Sequence, residues 1–171
     1  MLLPTSVDLL RCIEHTLATV IAPRLTGTEE RSAAATIGHL LRHVVLRIQH
    51  EGTILLEDLE ALHRLLTQVK GFLELNCANY EHAVSLRTEI ATHLGRAAQS
   101  SGYRDVPSLA AEVHAMRELV SNVLTFLQGR VDEPAGPTAE IYDALKRYAA
   151  WQVEQEARLI DPAFEGFGPR R

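Results

Sequence analysis

The sequence predicts an all-α fold: an antiparallel helical bundle of five to six helices with an irregular C-terminal tail. Three observations carry this. Glycine and proline are sparse, 10 and 7 in 171 residues. Apolar residues recur every three or four positions over most of the chain, as the buried stripe of a helix requires. The strict alternation and closely spaced turns of a sandwich or barrel are absent. At this length folding buries roughly 70% of the surface the unfolded chain exposes, so a core forms without a metal or disulfide.

The first helix opens at Thr5, whose hydroxyl can cap it while Asp8 answers three residues later, and it closes before Pro23. Leu10, Ile13, Leu17, Val20 and Ile21 form its expected inward stripe. A second helix starts with Glu29 and Glu30, where acidic groups favour the helix dipole, and is expected to end at Glu51 because Gly52 follows. Ile37, Leu41, Val44 and Ile48 share one side of it. The third helix starts after Thr53, with Glu57 and Asp58 in its opening turns, and weakens at Gly71 or Asn76. Its stripe is Leu55, Leu59, Leu62, Leu66, Val69 and Leu73.

A fourth helix covers about residues 79–99 with Ala83, Leu86, Ile90 and Leu94 inward. Pro107 suits the first turn of a fifth, lined by Leu109, Val113, Met116, Val120, Val123 and Leu127. Two prolines and a glycine in residues 132–137 make a linker, since they cannot continue a helix. Thr138 then caps a last helix bearing Ile141, Leu145, Tyr148 and Leu159, with Trp151 at its flank. The expected organisation is a bundle over 1–131, the linker 132–137, a C-terminal helix 138–160 docked on the bundle, and an irregular tail 161–171.

A formal charge of −5 opposes nucleic-acid binding, which depends on clustered cations. A DNA-binding helix is disfavoured for the same reason, although Arg42 and Arg47 lie on the second helix. No apolar run approaches the roughly 20 residues of a spanning helix. Cys12 and Cys77 are two thiols in a chain whose start lacks a basic and apolar leader, which predicts a reduced, cytoplasmic protein with ordinary cysteines.

Histidines are the densest chemical signal. His39, His43 and His50 fall about 200–240° around the second helix from Ile37, away from its apolar stripe. His39 and His43, one turn apart, could share a metal, since neighbouring imidazoles converge on one ion. The alternatives are a solvated face or, because Leu46 shares that side, a second contact face. A second polar set comes from the flanks of the stripes: Glu14, Glu60, His63, Glu89, His93 and also Glu112. Glu60 and His63 form one E-x-x-H, half of the pairing that holds two metals in ferritin-like bundles. Glu89 and His93 are spaced i, i+4, so the second half is missing, and surface ion pairs or an interhelical pocket remain the alternatives. Phosphate loops, nucleophile elbows and C-x-x-C pairs are absent, and no cofactor is predicted. The tail is a different signal: Phe164, Phe167, Arg170 and Arg171 could dock on the bundle, on a second subunit or on another protein, or stay free.

The first fifty residues also carry a rhythm of helix punctuation: Pro4-Thr5, Leu9-Leu10, Ile21-x-Pro23-x-Leu25-x-Gly27, the Ala-rich start Ala33-Ala34-Ala35, and Glu51-Gly52. In this it resembles small, functionally uncharacterised bacterial helical proteins encoded beside acyl-CoA dehydrogenase and aminoglycoside-phosphotransferase-like genes. The resemblance implies an accessory role in acyl-CoA or related catabolism and transfers no catalytic residue. The expectation is therefore a non-catalytic protein that binds a protein partner or itself, neither nucleic acid nor membrane. A ligand- or metal-binding bundle with an interhelical site is the alternative.

Overall fold

Helix α1, Ser6–Thr16, begins where the capping box of Thr5 and Asp8 predicts. The Asp8 amide donates to Thr5 Oγ1 at 3.2 Å and the Thr5 amide donates to Asp8 Oδ2 at 2.9 Å, so two otherwise orphaned N–H groups are satisfied. The helix continues through a π-helical turn, Leu17–Ile21, and a 3₁₀ turn, Ala22–Arg24, in which Pro23 ends the run. There follow α2 (Thr28–Asn76), α3 (Glu81–Gln99), α4 (Val106–Gln128) and α5 (Pro137–Phe164). The computed structural model describes residues 3–99, 104–128 and 136–164, and among these every regular element is helical.

One expected boundary is corrected. Gly52 does not end a helix: α2 runs unbroken for 49 residues. Glycine weakens a helix interior by about 1 kcal/mol relative to alanine, but it stops one only by taking a left-handed conformation at a cap. The last helix also extends past residue 160 to Phe164 and carries Pro162 within its final turn. Most of the 132–137 linker and the tail beyond Phe164 lie outside the described residues.

The chain divides into two compact units, one of Met1–Gly52 with Glu154–Arg171 and one of Thr53–Val153. Their boundaries fall inside α2 and α5 and not at the proline-rich stretch.

The Thr53–Val153 unit holds the hydrophobic core. Leu62, Leu66, Val69 and Leu73 of α2, Ala83, Leu86 and Ile90 of α3, eight residues of α4 from Leu109 to Leu127, and Leu145 and Tyr148 of α5 are buried together. Apart from Leu119 and Phe126, these are the stripes expected from sequence. The rings of Tyr80 and His82, at the start of α3, meet Phe126 near the end of α4 at 6.4 and 5.6 Å, which makes those helices antiparallel.

The other unit is built differently. Among the described residues its buried side chains are Ala34, His39 and Val45 of α2 and Ala163 of α5. The expected inward residues Ile13, Val20 and Ile21 of α1 are exposed, as are Ile37, Val44 and Ile48 of α2, while Leu41 is half-buried. The packed side of α2 therefore runs from Ala34 and Val45, at the edge of the expected stripe, round to His39 and Leu46. Hydrophobic periodicity identifies the face that gains most from burial, but only a neighbouring helix can cover it, and within this unit the covered arc is offset from the centre of the stripe.

Candidate functional site

Among the described residues the most buried ionisable group is Asp58, 1% exposed. Its Oδ2 accepts from Arg117 Nε at 3.0 Å and Nη2 at 2.6 Å, and its Oδ1 accepts from the Tyr148 hydroxyl at 2.8 Å. Three helices, α2, α4 and α5, are thus tied at one carboxylate. A buried carboxylate is tolerated only when paired and hydrogen-bonded, and here both oxygens are used. Burial, then the bond to Asp58, pushes the Tyr148 phenol above its ordinary range. The signal was present in the sequence, because Asp58 falls among Leu55, Leu59 and Leu62 on one apolar stripe. Reading Gly52 as a helix end made Asp58 a first-turn acid and hid it.

Beside this tie, α2 and α5 of the same unit enclose an open groove of about 610 Å³. Tyr148 and Trp151 line it, with Arg64 and Arg147 against Glu57 and Glu60. The groove thus carries both charge signs beside two aromatic rings.

The E-x-x-H pair lies nearby. Glu60 is exposed and His63 half-buried, and both line a shallow depression with Arg64 and Arg104. His63 Nε2 is buried and makes no hydrogen bond. Arg104 is paired with Glu112. Glu89 is exposed and accepts from Ser85 Oγ at 3.1 Å, and His93 is half-buried. Glu14 belongs to the other unit, where its carboxylate lies 3.4 Å from Arg42 Nε. Among the described residues no three His, Cys, Asp or Glu side chains are grouped to hold a metal ion.

The histidine face of α2 is corrected in part. His39 is 7% exposed, not solvated. Its Nδ1 lies 3.0 Å from the Ala163 carbonyl and 2.9 Å from Arg42 Nη2. One ring nitrogen can donate to the carbonyl or accept from the guanidinium but not both, so the tautomer selects the contact. His43 is half-buried and His50 exposed, so the burial of this face falls off along the helix. Leu46 is half-buried in a small cleft with Pro162, Val45 and Arg42, within its own unit. Phe167, Arg170 and Arg171 lie outside the described residues, as does the Phe164 side chain.

A second cleft, about 260 Å³, lies between α1 with its π turn and α2. Leu17, Ala18, Ala22, Ala34 and Ala35 make it apolar, and Glu14, His39 and Arg42 stand among its lining.

An exposed apolar stripe lies on another side of α2. Ile37, Leu40, Val44 and Ile48 are 48, 57, 43 and 53% exposed, far more than large aliphatic residues at helical spacing normally are. Among the described residues no helix is long and apolar enough to cross a membrane. No protein-family model, curated protein or solved structure matches the chain.

Proposed function

We propose that the protein is a non-catalytic helical accessory protein that acts by docking another protein chain on the apolar face of α2. The observation that carries this reading is the bare stripe of Ile37, Leu40, Val44 and Ile48. Contiguous aliphatic surface on one side of a helix costs free energy in water, and its ordinary use is to be covered by a partner. The stripe belongs to the unit whose own buried set is small, so a partner there also completes a core. The sequence resemblance supports a subunit of an acyl-CoA or related catabolic enzyme as such a partner, in a soluble, cytoplasmic setting.

The test is site-specific cross-linking in the native host, with a photoreactive residue at Leu40 and a control at Gln128 on α4, also exposed. The expected result is a protein adduct from Leu40, identified by mass spectrometry, and none from Gln128. Absence of a Leu40 adduct overturns the reading.

A second reading, a small-ligand carrier, is favoured by the cleft between α1 and α2, whose apolar wall ends at Arg42 and His39. This combination suits a short acyl chain whose polar end meets His39 and the Glu14–Arg42 pair. Native mass spectrometry of untagged protein should then show a bound small molecule that is lost when Ala35→Trp fills the cleft. An unliganded wild-type protein removes the carrier reading.

A further inference from the structure

We propose that His39 is a proton-set switch on the end of α5: protonated, it caps α5 through the Ala163 carbonyl, and neutral, it exchanges that bond for one from Arg42. The switch works whether or not anything covers the bare α2 face or fills the α1–α2 cleft.

The last four carbonyls of a helix have no intrahelical donor. Ala163 carries one of them at the end of α5 and is 0% exposed, so its oxygen has no water to turn to. The donor within reach is His39 Nδ1 at 3.0 Å. Pro162 has no N–H and removes one intrahelical bond from the same turn, which leaves that turn more dependent on an outside donor. A cation at this position also gains from the negative end of the helix dipole.

Arg42 competes for the same atom. Its Nη2 lies 2.9 Å from His39 Nδ1, and a guanidinium can only donate. Its Nε is buried without a hydrogen bond, and Glu14 Oε1 of α1 stands 3.4 Å from it. Arg42 therefore has two acceptors to choose from, His39 and Glu14, whereas the Ala163 oxygen depends on His39.

Protonation decides the contest. An imidazolium carries hydrogen on both ring nitrogens, so Nδ1 can only donate: it holds Ala163 and turns Arg42 towards Glu14. The neutral ring can keep its hydrogen on Nε2, which frees Nδ1 to accept a charge-assisted bond from Arg42 and leaves the Ala163 oxygen facing a lone pair. The cap is thus strongest when His39 is charged and weakens as pH rises through the range, about 5 to 8, in which histidines change charge. Arg31 lines the same cleft and Arg11 the neighbouring one, and both oppose the charge, as His43 one turn along does when protonated. Glu14, and Asp161 two residues before Ala163, favour it.

Amide exchange of the full chain at about pH 5 to 8, corrected for the intrinsic rate, tests this. Protection of the Asp161 and Ala163 amides should fall about tenfold as pH rises, while that of the core amides of Leu66 and Val120 stays level. Arg42→Met removes the competitor, so the cap should hold across the range. His39→Phe removes the donor, so protection should be low throughout. Nitrogen NMR of the His39 ring in the unmutated chain reads the same exchange without a variant: Nδ1 should carry hydrogen at the acid end and lose it in part at the alkaline end. Protection at Ala163 that does not change with pH overturns the proposal, as does a pH dependence that persists in Arg42→Met. An Nδ1 that keeps its hydrogen across the whole range overturns it even if His39→Phe fails to fold.

Discussion

Asp58 and Arg117, 59 residues apart in sequence, meet through two hydrogen bonds to a single carboxylate oxygen, yet their exposures differ: the Asp58 side chain is 2% accessible and that of Arg117 32%. The two partners are therefore not equivalent in loss. Arg117→Met leaves a buried carboxylate with only the Tyr148 hydroxyl, and should destabilise the Thr53–Val153 unit by about 3 kcal/mol. Asp58→Asn leaves a guanidinium that already reaches water, and should cost about half of that. Tyr148→Phe removes one donor to a charged acceptor, for about 1.5 kcal/mol. Urea unfolding of the three variants gives the order directly. A larger loss for Asp58→Asn than for Arg117→Met would mean that the exposed part of Arg117 does not compensate it.

Tyr148 also sets an alkaline limit. Its ionisation is pushed up, first by burial and then by the bond to Asp58. Above about pH 10 the unfolded chain loses the phenolic proton while the folded chain keeps it, so the unfolded state binds fewer protons and stability falls as pH rises. The contribution is fully present below the unfolded value and is lost as pH rises through the folded one. Wild type should lose stability more steeply than Tyr148→Phe over this window. Equal slopes in urea unfolding at successive pH values would show that the phenol does not titrate with unfolding.

The Thr53–Val153 unit was legible in the sequence because its stripes close on one another: Leu62, Ile90, Val113, Val123 and Leu145 were expected inward and are buried. The start of α1 was equally legible, since a capping box depends only on residues 5–8. Two features were not. Gly52 lies inside α2, because glycine alone does not supply the cap geometry that stops a helix. That one misplaced boundary turned the Asp58 tie, set within an apolar stripe, into a helix-start acid. In the other unit the stripes of α1 and α2 were read as facing one core, whereas the packed arc of α2 begins at the edge of its stripe, at Ala34 and Val45, and extends to His39. A moment gives the direction of a face and not the identity of what covers it.

The continuity of α2 has its own consequence at Gly71. This residue lies in the helix interior, and a Cβ added there meets no atom within 4 Å. Gly71→Ala should therefore stabilise the chain by about 0.5–1 kcal/mol, because alanine gives up less backbone freedom in the helix than glycine does. Gly95→Ala in α3 offers the same free space and the same sign. Thermal melts of both should move upward. A fall for Gly71→Ala would indicate that the helix is not straight through this turn.

The two thiols report on the units separately. Cys12, on α1, is exposed; Cys77, following α2, is 5% exposed, and its amide donates to the Leu73 carbonyl at 3.2 Å. Cys12 should react with a thiol reagent at the rate of a free cysteine. Cys77 can react only when the core of the Thr53–Val153 unit opens, and if that opening costs about 4 kcal/mol its labelling is slower by about a thousandfold. Following each cysteine by mass spectrometry as urea is added separates two cases. A Cys77 rate that rises with the same urea dependence as global unfolding means that it samples the cooperative core. A rate close to that of Cys12 in native buffer would place Cys77 outside that core and contradict its burial among Leu73, Ala83 and Phe126.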